Sequence, residues 1–164
     1  MFKIGDKVVY PMHGAGIIEK IEERKILDST REYYIMKTPF GDMKVMIPVD
    51  NTAEIGVRSI VTEAEIETVM EALRHEVTQM PDNWNKRYRE NLTKLKSGDI
   101  LKVTDVVRNL MVSEHEKGLS TGERKMLLNA KQILVSEIVL VKEIDIDEAE
   151  SQVAEAVFGQ TVKE

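Results

Sequence analysis

Aromatic and basic side chains are interleaved between Asn83 and Arg89, in a segment that also carries the signals of a helix start. The segment places the chain's one tryptophan and a tyrosine among three cations. Cations neutralise phosphates, while an aromatic ring can stack on a base or wedge into a base step. We therefore predict a nucleic-acid contact made by Trp84, Lys86, Arg87, Tyr88 and Arg89.

Helix periodicity offers a second interpretation of the same segment. Trp84, Tyr88, Leu92 and Leu95 recur at the spacing of a buried helix stripe. Periodicity alone leaves Trp84 evenly balanced between a core position and a contact position. Its place in the first helical turn favours exposure, because a side chain there can project beyond the packed body of the protein.

A second cationic group is predicted on a later helix. Arg124 and Lys131 share one helix face, with Lys125 beside them. Solvation of an ordinary helix surface also explains such residues. A DNA-binding patch results only if this group lies next to the segment around Trp84, and the sequence does not show that adjacency.

The charge is unevenly distributed along the chain. The net charge is −6, but residues 81–135 hold eleven Lys or Arg against seven Asp or Glu. Residues 1–60 are balanced, and the segments 61–80 and 136–164 are acidic. The middle of the chain is thus only weakly basic, which predicts weak binding to free DNA.

Candidates for catalysis and for metal binding are few. The histidines His13, His75 and His115 have no metal-ligand spacing, and we expect them to be surface or capping side chains. The sequence Gly14-Ala15-Gly16 lacks the other residues of a phosphate-binding loop. The absence of cysteine excludes disulfides and thiolate chemistry. We predict a binding protein, not an enzyme, without a metal, cofactor or small-molecule substrate.

Residues 1–60 alternate in polarity as the strands of a small barrel or sandwich do. The segments from Pro11 to Gly16 and from Pro39 to Asp42 are predicted to be turns. We predict five strands, at residues 7–10, 17–25, 31–37, 43–47 and 57–60.

The fourth predicted strand offers a surface for a protein partner. Alternation places two sets of side chains on opposite faces, Met43, Val45 and Ile47 on one and Lys44 and Met46 on the other. If the first set forms the core, Met46 is exposed, and Arg24 lies on the same sheet surface. That surface is compatible with a partner that docks by strand addition, although a single exposed methionine is also ordinary.

Helical spacing begins after residue 60, and residues 61–164 are predicted to form an all-α domain. Thr62-x-x-Glu65 and Ser120-x-x-Glu123 are capping boxes, and the second opens a long helix that we expect to be central. We predict helices that begin near Thr62, Trp84, Ile100, Ser120 and Asp147, the last ending near Phe158.

The chain lacks the features of a membrane or secreted protein. No apolar run approaches the ~18 residues of a spanning helix, and the N-terminus lacks the apolar core of a secretory signal. We therefore expect a cytoplasmic protein without membrane contact.

Four ordered motifs resemble those of the CarD/CdnL family of bacterial transcription regulators and together span nearly the whole chain. They are the segments Gly5 to Gly16, Asn83 to Tyr88, Gly118 to Arg124 and Ala130 to Leu134. The resemblance implies an α+β fold. It has a small antiparallel Tudor-like β-barrel at residues 1–60, followed by an all-α helical domain at residues 61–164.

The resemblance also implies a function. The N-terminal domain would bind the RNA polymerase β subunit, and the helical domain would contact promoter DNA at the upstream edge of the transcription bubble. Trp84 would wedge into the distorted minor groove there and stabilise the open promoter complex, so that the protein is associated with the nucleoid through polymerase. Recruitment by polymerase would supply the affinity that the weakly basic surface lacks.

The residues that the resemblance implicates fall into two groups. The family's basic DNA contacts map at or near Arg87, Arg89 and Arg124. Its polymerase contacts map to Arg24 and to the strand from Lys44 to Met46, including Val45. Some relatives carry an arginine where this chain has Met46, which makes the contact at that position apolar here.

Two other functions stay open at this point. One is a protein–protein adaptor of the transcription machinery without direct DNA contact, and the other is an RNA-binding module of the translation machinery. A steep salt dependence of binding to a polymerase–promoter complex distinguishes DNA contact from the adaptor. We expect a monomer, with a dimer swapped through the β-domain as the alternative.

Overall fold

The computed structural model describes residues 1–162. The N-terminal part is an antiparallel five-stranded sheet with the spatial order β4-β3-β2-β1-β5. The five predicted strands are present, with ends that differ by a few residues. They are β1 Lys7–Tyr10, β2 Gly14–Ile26, β3 Ser29–Lys37, β4 Lys44–Pro48 and β5 Arg58–Ser59. A 3-10 turn at Val49–Asn51, which we did not predict, follows β4.

A sheet is followed by a run of long helices that begins after β5, between Ser59 and Glu63, which confirms the α+β prediction. Thr62 forms the full predicted capping box with Glu65, and Ser120 accepts a hydrogen bond from the Glu123 N–H. The helices are α1 Thr52–Ile55, α2 Glu63–Arg74, α3 Trp84–Lys96, α4 Ile100–Glu116, α5 Thr121–Lys142 and α6 Ile146–Val162.

The last helix is longer than predicted. We expected α6 to end near Phe158, but it continues to Val162. Ala156, Val157 and Phe158 are half-buried against the helical core, so packing stabilises the turn before Gly159. The glycine therefore does not act as a stop signal here.

The helical core forms around α5, as its wide apolar arc predicts. This helix contacts α2, α3, α4 and α6 as well as β2. The apolar stripes of α2 and α4 are buried in this core, from Ile66 to Leu73 and from Ile100 to Leu110. A separate small core lies inside the sheet and contains Val8, Ile18, Tyr34, Met36 and Ile47.

The reversal between β1 and β2 is tighter than predicted. We expected a turn from Pro11 to Gly16, but Gly14 already pairs with Tyr10 as the first residue of β2. The reason is packing against α5. An added Cβ on Gly14, which has φ +93°, would lie 2.7 Å from the Ser136 Oγ. That same hydroxyl accepts a 2.8 Å hydrogen bond from the Ala15 N–H.

A buried ion pair joins the sheet to the helices. Arg58 on β5 donates to both carboxylate oxygens of Glu137 on α5, at 2.8 and 2.9 Å. The Arg58 Nε also donates to the Gly98 carbonyl, and the Val61 N–H donates to Glu137 at 2.9 Å. Because Glu137 is 2% exposed, these hydrogen bonds take the place of water around its carboxylate.

Candidate nucleic-acid and partner-binding surfaces

Trp84 lies in the first turn of α3, directly after the N-cap residue Asn83, whose side chain accepts from the Lys86 N–H. The indole stacks on the Tyr88 ring with a centroid distance of 4.9 Å and an interplanar angle of 15°. Its Nε1–H donates to the Ser120 Oγ at 2.9 Å. The tryptophan is 40% exposed, so it is both anchored and accessible.

Burial increases along the stripe that begins at Trp84. Leu95 is buried, Leu92 and Tyr88 are half-buried, and Trp84 reaches the surface. The periodicity therefore describes the buried C-terminal end of α3, and the first-turn position describes its exposed N-terminal end. The stripe starts outside the packed body and enters the core about three turns later.

Glycine allows the indole to lie flat on the start of α5. An ideal Cβ on Gly122 would be 3.2 Å from the Trp84 Cζ2 and 3.8 Å from the Tyr88 Cε1. The Trp84 ring would have to move by a few tenths of an ångström to make room for it, whereas the Tyr88 ring would be at an ordinary contact distance. Gly122 therefore helps to determine where the ring of Trp84 lies.

Arg87 has internal partners. Its guanidinium donates to both carboxylate oxygens of Glu123, at 2.7 and 3.3 Å, and to the carbonyls of Pro81 and Asp82. The hydrogen bond from Arg87 holds the pKa of Glu123 below its usual value and raises the pKa of Arg87. The Ser120 hydroxyl donates to the same carboxylate at 3.3 Å. One network thus connects Arg87, Glu123 and Ser120 to the indole N–H.

The network connects the starts of the two helices that carry the basic groups. Lys86 and Arg89 are exposed on α3, and Arg124 and Lys125 are exposed on α5 beside the contact between the helix starts. Arg124 lies 3.4 Å from Glu114 and donates to the Leu119 carbonyl. The starts of the two helices that carry these four cations are in contact, through Trp84 with Ser120 and through Arg87 with Glu123. That the four cations form one DNA-binding patch stays a prediction.

Lys131 is less well placed than the other cations. It is half-buried and lies about 10 Å further along α5 than Arg124, at 1.5 Å per residue. Arg124 and Lys131 were predicted to share one helix face. Even so, Lys131 lies too far along α5 to reach the start of the helix.

Ser120, Gly122 and Glu123 were not predicted as site residues. The capping box identified Ser120 and Glu123, but as groups that stabilise their own helix. Their contacts with Trp84 and Arg87 cross 36 residues of sequence, and local spacing carries no signal for such a contact.

The ion pair between Arg87 and Glu123 makes the free energy of unfolding depend on pH. The pKa of Glu123 is lowered in the folded state, so its contribution is present above its unfolded pKa of about 4.5 and is lost as pH falls through the folded value. We expect Glu123→Gln to lower the free energy of unfolding at neutral pH, and the difference from wild type to shrink as the medium becomes more acidic. Urea denaturation from about pH 7 to about pH 2.5 measures this, because that range extends well below the unfolded pKa. A difference that stays constant over this range would contradict the assignment.

The predicted partner surface lies on the outer face of the sheet. Met46 pairs with Ile35, Ile35 pairs with Lys20, and Arg24 follows Lys20 by four residues on β2. Cross-strand pairs and alternate residues share a face, so Arg24 and Met46 lie on the same surface, as predicted.

The strand β4 is the last strand of the sheet on this side. Lys44 and Met46 are exposed on its outer face, while Val45 is half-buried against the small core. The prediction that Met43 belongs to the core face of this strand is wrong. The strand begins at Lys44, and Met43 belongs to the turn before it, where it is 53% exposed.

The histidines are exposed, as expected for surface or capping positions. His13 stacks on Tyr10, His75 caps the end of α2, and His115 lies beside Phe158. Within residues 1–162, no group of three or more acidic, histidine or cysteine side chains is arranged to hold a metal ion. In the same span, none of the helices combines the length and the apolar character needed to cross a membrane.

Comparison with known proteins identifies both parts of the chain. Residues 2–61 match the CarD-like/TRCF RID domain, which confirms the Tudor-like N-terminal domain, and residues 68–154 match the CarD C-terminal domain. The chain is also 40% identical over 144 residues to the transcription factor YdeB of Bacillus subtilis (strain 168), an alignment that covers 88% of this chain and 94% of YdeB. The chain therefore belongs to the CarD-like family of transcription factors.

Proposed function

We propose that this protein stabilises the open promoter complex by binding RNA polymerase and promoter DNA together. The β-domain binds the polymerase β subunit, and the helical domain contacts the upstream edge of the transcription bubble. The observation that carries the proposal is the accessible Trp84–Tyr88 stack at the point where two basic helix starts meet.

The geometry of Trp84 suits a contact with an unstacked base. One face of the indole is covered by Tyr88, and the Nε1–H is already satisfied by Ser120. The ring therefore loses little conformational freedom when a base packs on its exposed surface, and no buried donor is left without a partner. An aromatic ring held in this way can fill the gap at a distorted base step.

The cations around the ring have two different roles in this proposal. Lys86, Arg89, Arg124 and Lys125 are exposed and supply charge for nearby phosphates. Arg87 is committed to Glu123 and to two carbonyls, so we assign it to holding the indole in place instead of contacting DNA. Lys131 would contribute only to the general positive field.

The proposed mechanism is a shift of the equilibrium between closed and open promoter DNA. A protein that binds melted promoter DNA more tightly than closed DNA favours the open state by the ratio of the two affinities. The net charge of −6 argues against tight binding to free DNA. Attachment to polymerase raises the effective concentration of Trp84 at the bubble edge and compensates for this.

The polymerase contact is proposed on the outer face and free edge of β4. An edge strand presents unpaired main-chain groups, and a strand of the β subunit can pair with them. Arg24, Lys44 and Met46 would then contact the partner through side chains, while Val45 would contribute its main chain. Met46 gives this contact an apolar component.

We expect Arg24→Glu to abolish binding to the β subunit and, with it, the effect on open-complex lifetime. Arg24 is exposed and its nearest acid, Glu22, lies 3.4 Å away, so charge reversal leaves the fold intact but adds repulsion at the contact. Pull-down of the purified β subunit and open-complex lifetime measure the two effects. Lys25→Glu is the matched control, since this exposed neighbour points to the opposite face of β2.

Retained pull-down by Arg24→Glu would contradict the polymerase assignment. The salt dependence of the wild-type effect separates DNA contact from an adaptor role. Phosphate contacts require the affinity for the polymerase–promoter complex to fall steeply with ionic strength, and a flat dependence would instead support the adaptor.

A further inference from the structure

We propose that a groove between α3 and α4 binds the phosphate backbone of duplex DNA upstream of the bubble, an inference that rests on the proposed function. The groove is lined by seven residues and has a volume of about 410 Å³. Its lining residues are Lys86, Arg89, Glu90, Thr93, Lys94, Ser97 and Lys102. Four of them are cations and one is an acid, in a chain whose net charge is −6.

The groove lies on the side of α3 that faces away from the core. Lys86, Arg89 and Lys94 are spaced so that they share this side, while Asn91 and Leu95 on the other side are buried. Packing against the core thus explains the residues on the buried side of α3. It does not explain why the residues on the exposed side are positively charged.

Lys102 lies between the cationic groove and a neighbouring pocket that is lined by Glu67, Glu71, Asp99 and Asp105. It lies in the first turn of α4, where the helix dipole disfavours a cation. The two acids three residues away on either side have other partners. Asp99 caps the Leu101 N–H at 2.9 Å, and Asp105 accepts from Arg108 at 2.8 Å and lies 3.7 Å from Lys94. Its exposed position beside the three other cations of the groove is what supports a role in binding.

The dimensions fit one strand of a duplex. From Lys86 to Lys94 the axis of α3 rises about 12 Å, which equals the rise of roughly three to four nucleotides along one strand of DNA. Among the described lining residues none is aromatic, so the groove lacks the stacking surface that favours single strands. Because the groove begins two residues after Trp84, it can continue the path of the backbone from the bubble edge into the upstream duplex.

The test is the affinity of the full chain for polymerase–promoter complexes with two lengths of upstream DNA. One promoter carries about 20 upstream base pairs, roughly two helical turns, and the other ends at the bubble edge. With the long arm we expect Lys102→Gln to bind about fivefold to tenfold more weakly at ~0.1 M salt, with a salt slope smaller by about 0.9. With the truncated arm we expect no difference from wild type. Lys102→Arg should restore the affinity, and Lys3→Gln, at an exposed lysine in the N-terminal segment, is the matched control.

The outcomes distinguish this inference from the proposed function. Wild-type affinity of Lys102→Gln on the long arm, or an equal loss on both arms, would overturn the groove assignment. If Trp84→Ala still shortens open-complex lifetime in that case, the proposed function stands without the groove. If both variants behave as wild type, the proposed function fails as well.

Discussion

Replacing Glu137 with alanine is expected to lower the free energy of unfolding by about 3–5 kcal/mol, the usual cost of breaking a buried ion pair by removing one partner. Arg58 would lose both of its carboxylate hydrogen bonds, and the Val61 N–H would lose its acceptor. The side chain of Arg58 is 30% exposed, which places the expected loss toward the lower end of this range. Urea denaturation followed by circular dichroism measures the change.

The control for this prediction is a second ion pair in the same chain. Arg31 donates to Asp50 at 2.9 Å, but both groups are exposed, so Asp50→Ala should change stability very little. If Glu137→Ala were as mild as Asp50→Ala, the pair between β5 and α5 would not hold the two domains together.

The pair also matters for the proposed function. Polymerase would hold the β-domain, whereas Trp84 belongs to the helical domain. A fixed connection between the two parts limits the positions that the indole can take and so maintains its effective concentration at the bubble edge. Arg58, Glu137 and the close contact of Gly14 with Ser136 supply that connection.

Replacing Trp84 with alanine is expected to remove about 1–3 kcal/mol of open-complex stabilisation, which is roughly a fivefold to 150-fold shorter lifetime. The loss follows from removal of the stacking surface, since the neighbouring cations remain. The protein should stay folded, because Trp84 is 40% exposed and lies at the outer end of its stripe. Thermal unfolding provides the check, and Trp84→Phe, which keeps a ring but not the indole N–H, should retain part of the effect. A collapse of Tm in Trp84→Ala would show instead that the residue serves mainly to hold the fold.

The pattern of polarity predicted the five strands and the five longer helices of this fold, but not the 3-10 turn at Val49–Asn51 or the short helix α1. Capping boxes at Thr62 and Ser120 and the stripe from Ile100 to Leu110 involve residues close in sequence, where helix geometry determines which side chains meet. The predictions of element ends fail where contacts between residues distant in sequence determine the structure. Gly14 belongs to a strand that lies against Ser136, and α6 continues past Gly159 after a half-buried apolar turn, and both contacts are with residues distant in sequence.

The same distinction applies to the candidate site. The sequence identified the aromatic and basic residues of α3 from their types alone. It could not separate Arg87, which faces Glu123, from Lys86 and Arg89, which face solvent, because that difference depends on the packing of α3 against α5. Gly122 was part of the recognised motif, yet its contact with the Trp84 ring is evident only from the structure.

The most direct test of the proposed function is the rate at which open complexes collapse on one promoter, measured without the protein, with wild type and with Trp84→Ala. Each protein is added in excess, so that binding to polymerase is saturated and differences reflect the DNA contact. We predict that wild type slows collapse, while Trp84→Ala approaches the rate seen without protein. Equal slowing by wild type and Trp84→Ala would contradict the assignment of the indole to the edge of the bubble.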